Sequence, residues 1–127
     1  MLLRSSETTT HERSSRRSRY CWLNPTEGSE QRGTRPCLVV QNDVGNENAP
    51  TSIVVPFTTS SGEKLYPFEV LISAAESPLR EDSVALCSQI APFLSEHRIR
   101  DNIGSILETR LEEVDTALEY SLGLKEL

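Results

Sequence analysis

At 127 residues, 36% of them hydrophobic, the chain is sized for one domain around a single core, and its formal charge is −6. No apolar run approaches the roughly 20 residues that span a bilayer, and Met1-Leu2-Leu3 gives way at once to Arg4-Ser5-Ser6, so a soluble, cytoplasmic protein without a secretory signal is expected. Cys21, Cys37 and Cys87 lack metal-like spacing and suit a reducing compartment, and with only His11 and His97 beside them neither a metal site nor a cofactor is expected.

The charge is uneven. Residues 1–19 carry +3, from five arginines against Glu7 and Glu12, which leaves −9 for the rest. Such a body is no electrostatic, sequence-blind nucleic-acid binder, so any RNA must be held locally, by base contacts and a few arginines. Residues 1–19 are Ser, Thr and Arg with almost nothing to bury, and read as a disordered or mis-assigned tail ahead of a domain at 20–127. Tyr20, Cys21 and Trp22 offer a short first strand.

Asn24-Pro25-Thr26 opens a turn, and Gly28 and Gly33 bracket a polar loop. Arg35, just before Pro36, is biased toward extended backbone at the mouth of the apolar run Cys37-Leu38-Val39-Val40. A guanidinium at the end of a strand presents a rigid fork of donors suited to a phosphate or carboxylate; a surface ion pair is the alternative. Residues 42–50 are dense in turn formers and read as an exposed loop. Residues 51–58 form a mostly buried strand ending in the hydroxyls of Thr58, Thr59, Ser60 and Ser61, with a hairpin turn through Gly62. Strands follow at 68–72 and 83–90, with Val84, Leu86 and Ile90 facing in and Gln89 out. Leu107, Leu111, Val114, Leu118 and Leu122 recur at helical spacing, Ser105 and Glu108 have capping-box spacing, and Gly123 supplies a stop. Several strands and one amphipathic helix make an α+β protein, a small antiparallel barrel with a C-terminal helix packed on it.

The run GSEQRGTRP followed by LVVQND resembles the signature loop and second strand of the MazF/PemK family of toxin endoribonucleases. The likeness continues through Ile53-Val54-Val55-Pro56-Phe57-Thr58-Thr59, Tyr66-Pro67-Phe68-Glu69-Val70, residues 80–90 and the closing helix, so that it covers about residues 20–127 in order. It implies an SH3-like barrel shared with CcdB, a homodimer, and a cognate antitoxin protein as partner. It also implies metal-independent cleavage of single-stranded RNA, in which the ribose 2'-hydroxyl attacks its own phosphorus. Arg35 and Thr58 then take the catalytic positions. Arg35 stabilises the charge that builds on phosphorus, Thr58 donates to the same phosphate, and Glu30, the nearest carboxylate in sequence, is the candidate base. Ser29, Glu30, Gln31, Arg32 and Gln89 are candidates for RNA contact.

Two stretches depart from the family's pattern. The first strand lacks its opening charged residue and glycine, and Ala91-Pro92-Phe93 stands where an arginine and a threonine usually follow Gln-Ile; Ser88 replaces an acidic residue. The second functional reading is therefore a catalytically silent relative that binds an antitoxin or another protein.

Overall fold

The computed structural model describes residues 17–24, 33–94 and 98–127. Seven strands pair antiparallel in one sheet: β1 (Arg19–Leu23), β2 (Arg35–Val39), β3 (Thr51–Thr59), β4 (Glu69–Ile72), β5 (Ser83–Leu86), β6 (Ala91–Leu94) and β7 (Ile99–Ser105). A short helix α1 (Asp43–Asn48) follows β2, and α2 (Glu108–Ser121) closes the chain. Strand order is β4-β5-β3-β2-β1-β7, with β6 also on β3; β4 and β7 are the edges, and the sheet does not close on itself. The expected hairpin after β3 does not form. Residues 60–68 instead carry the chain past β5, which lies between β3 and β4.

β3 organises the sheet because it is apolar on both faces. Val55 joins the larger cluster with Tyr20, Leu38, Ile72, Ala85, Val114 and Ala117, while Val54 joins Cys21, Cys37, Val39 and Ile99 on the other side. β5 and β6 are in effect one strand on β3 with an interruption. Phe57 pairs with Ala85 and Val54 with Ala91, so five residues, 86–90, lie against only Val55 and Pro56. The strand expected over 83–90 therefore stops at Leu86, and residues 87–90 bulge out. Pro56, which has no N–H to offer, falls where the ladder on that side is already broken.

Three residues assigned to the tail belong to the fold. Arg19 opens β1, Ser18 bonds the backbone of Val39 and Ile106, and Arg17 reaches three elements. Its N–H donates to Asp43 Oδ1 (3.0 Å), its Nε to the Val40 carbonyl (2.9 Å) and its Nη2 to Asp115 Oδ1 (2.7 Å) on α2. Residues 1–16 lie outside the described residues. The short first strand is interior to the sheet, for β1 pairs with β2 on one side and β7 on the other.

The segment read as a loop at 42–50 contains α1. Asn42 caps it by accepting from the Gly45 N–H (2.7 Å). Asn46, 2% exposed, donates to the Gln41 carbonyl (2.9 Å) and accepts from the Ser52 hydroxyl (2.8 Å). Asn46→Ala strands those buried partners, and a loss of about 2–3 kcal/mol in urea unfolding is expected. At the other end of the chain Ser105 caps nothing: it is the last residue of β7 and accepts from Arg19 Nη1 (2.7 Å). Gly123 does end α2. At φ 74° it lets its own N–H reach the Tyr120 carbonyl and that of Leu124 reach Glu119, the paired closure of a helix C-terminus. Val114 and Ala117 are buried beneath the helix, and Leu111 and Leu118 pack beside them, whereas Leu107 and Leu122 stay exposed.

Candidate active site

Arg35 begins β2 across from Leu23 on β1. The β2·β3 ladder pairs Val39 with Val54, Leu38 with Val55 and Cys37 with Pro56. The ladder ends at that pair; extended by two residues, its register would bring Arg35 opposite Thr58, 23 positions away in sequence. Opposed side chains on neighbouring antiparallel strands share a face with Cβ atoms about 5 Å apart, so a phosphate can be reached by both. Alternation places the pair on the face of Cys37 and Val54, at the solvent edge of the smaller apolar cluster, and both side chains are exposed. Among the described residues Arg35 has neither ion pair nor hydrogen bond.

Of the other sequence candidates, Gln89 lies in the bulge at 87–90, exposed, alongside the Val55-Pro56 stretch of the strand that carries Thr58. Ser29, Glu30, Gln31 and Arg32 fall outside the described residues, but the base of their loop is defined. Thr34 Oγ1 donates to Asn24 Oδ1 (3.3 Å), closing the loop across the β1–β2 pair. Asn24 is clamped in turn by Arg98: its N–H donates to the Arg98 carbonyl (2.8 Å), and Arg98 Nε donates to the Asn24 carbonyl (2.6 Å). The Arg98 guanidinium lies over the Phe93 ring at 4.6 Å. No local pattern announces this clamp, since Arg98 is 74 residues from its partner and sits beside a stretch that departs from the family pattern. That stretch is itself accommodated, for Ala91-Pro92-Phe93-Leu94 forms β6 on β3.

The antiparallel sheet with one helix thus carries an exposed arginine at the start of β2 and an exposed threonine near the end of β3. The comparisons define which protein class this is. Residues 19–122 match the family described as PemK-like, MazF-like toxin of type II toxin–antitoxin system, and the chain belongs to that family. An endoribonuclease MazF from Staphylococcus epidermidis is 40% identical over 102 residues, which are 80% of this chain and 84% of the relative. Among solved structures, an endoribonuclease in complex with its cognate antitoxin from a mycobacterial species shares the fold, with a TM-score of 0.70 at 22% identity over 87% of this chain and 97% of that one. A MazE–MazF structure from Deinococcus radiodurans superposes with a TM-score of 0.65 at 27% identity, covering 84% and 93%.

Proposed function

We propose that this chain is the toxin of a toxin–antitoxin pair, an endoribonuclease that cuts single-stranded RNA at short specific sequences by 2'-hydroxyl attack. The observation that carries the reading is the exposed Arg35 at the start of β2, beside the β2·β3 ladder whose strand β3 carries Thr58 two residues past its last pair, Cys37–Pro56, in a chain of this family. The attacking hydroxyl is supplied by the substrate, so the protein's task is to hold the phosphate and manage charge and protons. Arg35, a fixed cation with several donors, stabilises the pentacoordinate phosphorane, and the Thr58 hydroxyl donates to a second phosphate oxygen. Glu30 is the candidate to accept the 2'-hydroxyl proton; as the 2'-oxygen bonds phosphorus the P–O5' bond breaks, and the departing 5'-oxygen takes a proton from solvent, giving a 2',3'-cyclic phosphate and a 5'-hydroxyl. Ser29, Gln31, Arg32 and Gln89 meet the flanking nucleotides.

The same reading makes the protein a cytoplasmic homodimer, silenced by a cognate antitoxin. It also interprets the curled sheet as the family's SH3-like barrel. In support, residues of β1 through β5 and α2 converge on one cluster, although β4 and β7 remain unpaired edges. The test is to incubate purified protein with a weakly structured RNA, with and without EDTA, and to map the ends. Discrete, EDTA-resistant cuts bearing cyclic-phosphate ends are expected; no cutting by a folded dimer would make this the silent relative.

A further inference from the structure

Beside the candidate active site, on the other face of the same hairpin end, lies a groove that the reaction does not use. Trp22 sits in a cross-strand row between Pro36 on β2 and Arg100 on β7. Its half-buried indole lines two adjoining hollows of about 410 and 360 Å³, which also share Thr34. Each alone falls in the range of about 300–1,000 Å³ usual for small-ligand sites. Thr59 and Arg80 edge the larger hollow and Arg100 the smaller. Among the described residues neither guanidinium has an ion pair or hydrogen bond, and no ring stacks on Trp22. A carboxylate accompanies each arginine without pairing to it, Glu81 in one hollow and Asp101 in the other.

We propose that this groove is a nucleobase subsite, in which a base next to the scissile phosphate stacks on Trp22; the proposal rests on the ribonuclease reading above. The donor set alone would suit a phosphate, but Glu81 and Asp101 oppose an anion. A heterocycle needs what is present: an aromatic face, arginine and threonine donors for its ring nitrogens and carbonyls, and carboxylate acceptors for its amino or imino hydrogens. The position also fits. Trp22 adjoins Leu23, which pairs with Arg35, and lies across from Pro36, which follows Arg35. Trp22 belongs to the first-strand stretch that departs from the family pattern, so the subsite gives this chain a base preference of its own.

Trp22 is the chain's single tryptophan, which makes its fluorescence a local probe. The experiment titrates full-length protein with fully 2'-O-methylated oligonucleotides, which lack the attacking hydroxyl, following fluorescence and, separately, anisotropy of a labelled strand. Cleavage kinetics and cut-site sequences are compared for wild type, Trp22→Phe, Trp22→Ala and Arg100→Gln. Saturable quenching is expected, with KM raised about ten- to a hundredfold in Trp22→Ala at nearly constant kcat, a relaxed preference at one base position, and substantial rescue by Trp22→Phe. Binding and cleavage without quenching, or Trp22→Ala and Arg100→Gln both unchanged in KM and in cut-site preference, would overturn the subsite and leave the ribonuclease standing. Quenching by an acidic antitoxin-type peptide but not by RNA would overturn it in favour of a protein contact. No RNA binding by folded wild type would remove both readings.

Discussion

Arg35→Ala is expected to lower kcat for RNA cleavage by about a thousandfold or more, the scale of losing a preorganised donor to an oxyanion, while leaving the melting temperature unchanged. The second half follows from its surroundings. Arg35 is exposed and has no partner among the described residues, so truncation removes no packing and orphans no buried group. Arg35→Lys is expected to recover only a small part of the rate, because an ammonium keeps the charge but loses the planar fork that engages two phosphate oxygens. Thr58→Val, nearly isosteric and equally exposed, should cost about ten- to a hundredfold, since it removes one hydrogen bond to a charged phosphate oxygen. Single-turnover rates on a defined oligonucleotide, with circular dichroism as the control for folding, decide the matter. An Arg35→Ala protein cutting at wild-type rate would refute the assignment.

The proposed pair of Arg35 and Thr58 shows how far the sequence reaches. The geometry of Arg35 was legible locally: a residue before proline, ahead of an apolar run, is driven extended. Its relation to Thr58 was not, because a ladder register between residues 23 apart leaves no trace in spacing, and only the family resemblance connected them. The helix α2 was readable from its stripe and from Gly123, whereas Ser105 was misread because capping-box spacing alone cannot tell a cap from the last residue of a strand. α1 was missed for a physical reason. A six-residue helix has no periodicity to detect, and Asn42, Asn46 and Asn48 are turn formers in isolation; what holds α1 is the bond from Ser52 across to Asn46. Likewise β5, inserted between β3 and β4, and Arg17, bonded to Asp115 98 residues away, are products of tertiary pairing.

The second large effect is alkaline. Cys87 and Tyr20 sit in the main cluster, 0% and 1% exposed. Burial, with a smaller contribution from the Asp115 carboxylate, pushes the Cys87 thiol up to about 12 from 9.0. Burial, with Glu76 second, pushes the Tyr20 hydroxyl up to about 12 from 10.0. Both groups are neutral in the fold and ionise more readily once unfolded, so their contribution is complete below about pH 9 and is lost as pH climbs toward 12. By pH 11 the unfolded thiol is about two units past its pKa and the phenol about one, which favours unfolding by about 4 kcal/mol in all. For a domain of this size that is a fall of roughly 10–20 °C in melting temperature between pH 8 and pH 11. Cys87→Ala should melt lower than wild type at pH 7, from the lost packing, yet show a markedly flatter decline above pH 9, because the larger of the two titrations has been removed. A wild-type melting temperature that holds to pH 11, or an equally steep decline in Cys87→Ala, would mean that these groups do not govern the alkaline limit of the fold.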